Sequence, residues 1–374
     1  MFNNFYSGKR VLVTGHTGFK GSWLTLWLLR LGAEVTGYSV NFPSTPCNFE
    51  ILELEKRIDH VVGDIRDLDS LNKIFQEKSP EIVFHLAAQS LVFESYDKPK
   101  LTFDTNLGGT VNVLECIRKT PSVKVGVIIT SDKCYQNHEW SWGYRENDRL
   151  GGDDPYSASK ACAEIAFQAY IHSFFCKGNS NEEKDVPSIA TTRAGNVLGG
   201  GDWALNRIVP DCVKSWAKKE APFVRNPHAT RPWQHVLEPL SGYLWLGAKL
   251  ADDSELHGES FNFGPSAQTN KPVKEVIETF LLYWGKGDIC YNKADNIKKE
   301  NSLLKLSCDK ALQFLEWYAL LTFEETMQLT AEWYKTFYEQ QKKKKKEMFD
   351  FALRQIEFYT TKATKEKILW GNDT

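Results

Sequence analysis

Residues 9–21 read KRVLVTGHTGFKG. The first six form a short apolar run rich in β-branched residues and predict a buried strand over Lys9–Thr14. Glycines at 15, 18 and 21 follow in G-x-x-G-x-x-G spacing, and Phe19–Leu31 (FKGSWLTLWLLRL) has helical length and an apolar stripe. Gly32 is placed to end that helix. Strand, glycine turn and helix are the parts of a dinucleotide-binding turn. One glycine permits a positive φ; a second lets the backbone approach a pyrophosphate; a third lets the helix pack closely on the strand. The helix N-terminus offers free N–H groups and a partial positive charge to the phosphates. Gly15, Thr17, Gly18, Phe19 and Gly21 are therefore the candidate cofactor-binding residues of this turn.

Downstream, two periods alternate. Strands are predicted at Ala33–Val40, His60–Gly63, Glu81–Leu86 and Val123–Thr130, with helices at Leu68–Lys78 and Pro99–Lys119. This alternation implies right-handed crossovers and an α/β fold, a doubly wound parallel sheet of Rossmann type. A further helix starts after Pro155, a polar insertion follows at Lys177–Asp185, and Pro187–Thr192 is a strand. Beyond Gly195 the pattern is irregular, as in a smaller substrate-binding lobe. Residues 1–192 are expected to form the cofactor domain and 193–374 mainly the lobe. A strand at Gly258–Gly264 returns to the sheet, and one helix runs from about Phe323 into the 350s. Five lysines, Lys342–Lys346, lie on that helix and read as a solvated face or an anionic-surface tether.

The second strand ends in Tyr38, Ser39, Val40 and Asn41, where an acid would bond an adenosine ribose and an Arg a 2′-phosphate. The lack of Arg favours NAD over NADP. Asp64 and Ile65 follow the third strand and are placed to hold the adenine; Asp64 could instead cap the next helix. Ala87 and Ala88 are small enough to let a cofactor lie along the sheet edge.

The 374 residues carry a net charge of −2, which argues against a whole-chain grip on nucleic acid or an anionic membrane. With 42% hydrophobic and 25% charged residues the composition is that of a globular protein. No apolar run has the ~18 residues of a membrane span, and the N-terminal residues lack a signal-peptide core. A cytoplasmic protein with reduced cysteines is expected. The eight cysteines contain no C-x-x-C pair, and no His cluster suggests a metal.

Tyr156-Ser157-Ala158-Ser159-Lys160 opens the helix after Pro155. Residues i and i+4 share a helix face. A Lys ammonium beside a phenol favours phenolate, and a tyrosinate is a competent base for an alcohol losing hydride. Coupled to the glycine turn, this pair resembles the extended short-chain dehydrogenase/reductase superfamily. Ser131 fits that superfamily's hydroxyl position. The stretches Gly15–Leu24, Ser131–Tyr135, Glu139–Glu146, Leu150–Asp153, Arg193–Val197, Gly199–Trp203 and Arg231–His235 narrow the likeness to the CDP-glucose 4,6-dehydratases.

The resemblance implies conversion of CDP-D-glucose to CDP-4-dehydro-6-deoxy-D-glucose with tightly held NAD, in deoxysugar synthesis for surface polysaccharide, by a homodimer or larger homo-oligomer. Tyr156 is then the base at the 4-hydroxyl, with Lys160 lowering its pKa. Ser131 binds the C4 oxygen, Asp132 is the acid for the 6-hydroxyl, and Lys133 is the base at C5. The related dTDP- and GDP-sugar dehydratases carry Glu in place of Lys133; a lysine base must be neutral, far below its ordinary ~10.4. Otherwise Lys133 is a salt-bridge partner of Asp132. Arg231, Arg207 and Asn196 are candidates for the diphosphate. Trp203 is expected to wall the nucleotide or simply to fill core, and Trp140, Trp142 and Tyr144 to line the sugar pocket or to act as a hydrophobic staple. The competing readings are a nucleotide-sugar 4-epimerase, which needs no acid–base pair at C5–C6, and a non-catalytic NAD-sensing scaffold.

Overall fold

The computed structural model describes residues 1–176, 186–266, 269–291, 303–343 and 347–372. Strands β1 (Arg10–Thr14), β2 (Glu34–Ser39), β3 (Asp59–Val62), β4 (Ile82–His85), β5 (Val125–Ile129), β6 (Ser188–Ala194) and β7 (Ser260–Phe263) form one sheet in the order β3-β2-β1-β4-β5-β6-β7. Every neighbouring pair is parallel. Alternate residues of each strand face opposite layers: Val11 and Val13 join one core and Leu12 the other. Helices α1 (Phe19–Arg30) and α2 (Leu68–Lys78) cover opposite faces, and the later α3 (Gly109–Lys119) and α4 (Pro155–Phe174) share the face of α2, joining its Phe75 through Val113 and Phe167.

Two expectations are corrected. The helix predicted over Pro99–Lys119 is interrupted. Pro99–Phe103 passes through a π-helical turn, Asp104–Gly108, before α3 begins. The wider turn directs Asn106 inward, where its amide accepts from Gln89 N at 2.8 Å and donates to Ser159 Oγ of α4 at 2.9 Å.

The single C-terminal helix is two. These follow α5 (Ile208–Ala217), α6 (Leu237–Asp252) and α7 (Val273–Trp284) as α8 (Phe323–Lys343) and α9 (Met348–Lys365). They fold back on each other through Lys362 Nζ to Glu325 Oε1, 2.6 Å, and Gln355 Nε2 to Leu329 O, 2.8 Å. The reversal lets α9 bury Tyr359 against Trp27 of α1, rings 5.8 Å apart, while α8 keeps Trp333 and Tyr334 in the core. Residues 344–346 and the side chains of the lysine run lie outside the described residues, as does the insertion at 177–185.

From Ala194 the chain builds short ladders before and after α6: Val197–Leu198 with Gln234–His235, Thr230–Pro232 with Asn270–Pro272, and Phe223–Val224 with Cys290–Tyr291. Helix α6 then returns beneath the sheet, and β7 pairs with β6, Phe261 opposite Thr192. Among the described residues no helix is long and apolar enough to cross a membrane.

Candidate active site

A cleft of about 1850 Å³ runs along the C-terminal ends of the strands, and it is lined by the candidate cofactor, catalytic and diphosphate residues named above, though not by the aromatic run 140–144. At one end lies the glycine turn. Gly15 has φ +75°, and a Cβ there would sit 2.6 Å from Ala87 N. A Cβ on Gly21 would lie 2.1 Å from Gly15 O, so the start of α1 tolerates no side chain at that position. Gly18 caps α1 without a side-chain bond, and the first turn carries no acid. The amides at this helix start are thus left to an anion. Thr17 Oγ1 donates to Asn41 O (2.8 Å) and ties the turn to the end of β2.

Asp64 does not cap α2; Asp67 does, accepting from Ser70 N at 3.1 Å. Asp64 instead receives the Arg66 guanidinium, Nη2 to Oδ2 2.5 Å, and this bond holds its carboxyl below the usual range. Ile65 packs on the start of α3. Ala87 N donates to Thr14 Oγ1 at 3.3 Å where β4 ends.

The middle of the cleft is built by the end of β5 and the start of α4. Ser131 opens a tight turn; its Oγ accepts from Lys133 N (3.2 Å) and donates to Asp132 Oδ1 (3.1 Å). A Cβ on Gly195 would come within 3.0 Å of Asp132 Oδ2, so the glycine at the end of β6 makes room for that carboxylate. Burial holds Asp132 above the ordinary carboxylate range, against the opposing charges of Lys133, Lys20 and Arg231. Lys133 is half-buried and, among the described residues, forms no ion pair with Asp132.

Helix α4 starts under Asp154, which accepts from Ser157 N (2.9 Å), with Pro155 in the first turn. This cap fixes Tyr156 and Lys160 on the inward face, both buried. Burial pushes the Tyr156 phenol up to about 12, with Ser131 and Arg207 pulling it back. Burial pushes Lys160 itself down to about 8, and its Nζ donates to Ile129 O at 3.4 Å.

At the far end, Arg207 pairs with Asp202, Nη1 to Oδ2 2.7 Å, and Arg231 Nη1 donates to Thr230 O at 2.8 Å. Asn196 is half-buried beside them. Trp203 reaches the cleft wall but is only 2% exposed, packed on Trp333, Tyr334 and Phe337. Trp140, Trp142 and Tyr144 do not line the cleft. They stack on one another and fasten residues 305–307, Tyr144 N to Lys305 O 2.9 Å, which is the staple alternative.

Several residues were missed. Lys20, inside the glycine motif, points at the centre: burial pushes it down to about 8, with Asp132 opposing and Arg207 and Lys160 adding to the fall. Glu164 is fully buried behind the centre, paired with Arg193 Nη2 at 2.8 Å and bonded to Thr130 and Thr191. Its position four residues after Lys160 was the available signal.

A family model for GDP-mannose 4,6 dehydratase matches residues 12–330. The chain belongs to that family. It is 46% identical over 334 residues to the CDP-glucose 4,6-dehydratase of Salmonella typhimurium, covering 89% of this chain and 92% of that one. The fold is that of a dTDP-glucose 4,6-dehydratase from Bacillus anthracis solved with NAD (TM-score 0.73, 23% identity, 89% and 98% covered). It is also that of an epimerase from Methanothermobacter thermautotrophicus (TM-score 0.76, 24% identity, 91% and 96% covered). The glycine turn lies between β1 and α1 and Tyr156–Lys160 on α4, while Arg207 and Arg231 lie on the chain between β6 and β7.

Proposed function

We propose that the protein is a CDP-D-glucose 4,6-dehydratase, a hydro-lyase forming CDP-4-dehydro-6-deoxy-D-glucose and water. The observation that carries this reading is Asp132. It is a buried acid held above its ordinary range, bonded to Ser131, in one cleft with Tyr156 and the glycine turn. The 46% identity to the Salmonella CDP-glucose enzyme supports the choice of substrate.

The residues present fit NAD: a glycine cradle that a Cβ would fill, an uncapped helix start for the pyrophosphate, and no Arg at the end of β2. Once bound, NAD supplies the acceptor for the C4 hydride, its return to C6, and a positive charge beside the phenol. Asp64, Ile65, Ala87 and Ala88 hold the adenosine side, and Lys160 a ribose.

The C5 proton of glucose is not acidic until C4 is a ketone. Tyr156 takes the 4-hydroxyl proton, and Ser131 bonds the oxygen as it becomes carbonyl. Lys133 removes the C5 proton. Asp132, favoured in its protonated form, protonates the departing 6-hydroxyl. Arg207, Arg231 and Asn196 hold the diphosphate, with Trp203 as wall. Residues 1–192 thus serve the cofactor and 193–374 mainly the nucleotide sugar. A cytoplasmic homo-oligomer is in keeping with this role.

Incubation with CDP-, dTDP-, GDP- and UDP-glucose tests the reading. CDP-glucose should lose 18 Da and gain keto-sugar absorbance; an unchanged mass with C4 inversion would make the protein an epimerase. Lys133→Met should abolish solvent exchange at C5; wild-type exchange in that variant removes Lys133 as the base.

A further inference from the structure

Beyond the catalytic centre the cleft continues along α5. Arg207, charge-coupled to Tyr156, immediately precedes this helix, and Asp211 follows four residues on, about 6 Å along the axis. Ile208–Cys212 and Ser215 line the cleft, so the N-terminal turn of α5 and its Asp211–Ser215 face border it. Pro222–Asn226 completes this end.

Asp211 is the acid of that face. It is half-buried, and among the described residues its carboxylate has no hydrogen-bond or ion-pair partner. The cations that could serve it are engaged elsewhere: Lys214 Nζ donates to Trp203 O (2.6 Å), and Arg225 Nη2 to Asn206 Oδ1 (3.3 Å). Asp202, facing the same cleft, has its guanidinium at 2.7 Å. Burial raises Asp211 against the pull of Lys214 and Arg225. In its ionised form a carboxylate facing a ligand cleft only accepts, so it selects a ligand that brings an N–H.

Pyrimidines differ at this point. Cytosine presents an amino donor at C4, whereas thymine presents a carbonyl oxygen there, as uracil does. We propose that Asp211 is the base-reading residue: its carboxylate accepts from the 4-amino group of cytosine and repels the 4-oxo group of uracil or thymine. This rests on the reading above, with the hexose at Tyr156 and the diphosphate at Arg207. The base then lies further out along α5.

Calorimetric titration of CDP and UDP against wild type and Asp211→Asn tests it, because an amide can turn either its oxygen or its nitrogen to the base. Wild type should prefer CDP, and Asp211→Asn should shrink the CDP-to-UDP ratio by about tenfold or more. The diphosphate of the pyrimidin-2-one riboside keeps N3 and O2 but has hydrogen at C4. It should lose affinity for wild type to a similar degree, and this arm decides if the variant does not fold. An unchanged ratio in a folded variant, or wild-type binding of the pyrimidin-2-one riboside diphosphate equal to CDP, overturns the assignment. Wild type that prefers CDP yet leaves CDP-glucose unconverted overturns the dehydratase reading and keeps this one. Conversion of CDP-glucose with an unmoved ratio does the reverse.

Discussion

The cleft side and the rear side of the β5–β6 edge each bury a carboxylate, and their surroundings treat the two oppositely. On the rear, Glu164 meets a guanidinium at 2.8 Å and hydroxyls from Thr130 and Thr191, and these hold it below the ordinary range although it is fully buried. On the cleft side, Asp132 has Ser131 and only distant cations, and burial wins. A third case lies on the opposite face of the sheet. Glu238 of α6 accepts from the Leu320 and Leu321 amides and from Tyr359, with no cation paired to it among the described residues, and is pushed up to about 7. Neutral donors alone do not offset the loss of water around a charge; a contact cation does. The same chain thereby obtains a fixed anion as a strut and a cleft carboxyl whose protonated form burial favours.

The contrast breaks most visibly at Asp132. Asp132→Asn keeps the shape but donates no acidic proton, so 4-keto-6-deoxy product formation should fall about 100- to 10,000-fold. A variant retaining more than about a tenth of the rate would mean that raising this acid serves no catalytic purpose. Next is the strut. Arg193→Met leaves Glu164 buried without its cation and should cost about 3–5 kcal/mol in chemical denaturation. Adding Glu164→Gln should recover part of that loss, and additivity of the two changes would deny the coupling.

The pH response of Glu238 is smaller. Its folded pKa is raised from 4.5 to about 7, so the stability it contributes is complete below 4.5 and is lost as pH rises toward 7. Glu238→Gln can still accept from both amides and bond Tyr359. The variant should therefore gain on wild type by up to about 3 kcal/mol between pH 4.5 and pH 8. A pH-independent difference would place Glu238 with the paired carboxylate instead.

The glycine turn was legible because strand, turn and helix are contiguous, and a Cβ at Gly15 or Gly21 collides with backbone whatever else the chain does. Tyr156–Lys160 stood out from its i, i+4 spacing only in combination with the glycine turn. The sense of their pKa values was not legible, since it depends on burial and on where Nζ points. The break at Asp104–Gly108 was hidden for a similar reason: Gln89 and Ser159, which Asn106 joins, lie 17 and 53 residues away. The aromatic run 140–144 showed its composition but not its facing. Only the ladder to residues 305–307 turned it away from the cleft.

Local periodicity and glycine sterics therefore determined the parallel sheet, the cofactor turn and the catalytic helix, because each depends on neighbours within a few residues. The tertiary structure alone decided which buried acids acquire a cation. Arg193 reaches Glu164 across 29 residues, while among the described residues no cation pairs with Asp132 or Glu238. Charge in a dry interior is governed by what stands within a few ångströms, and the order of residues along the chain does not encode that distance.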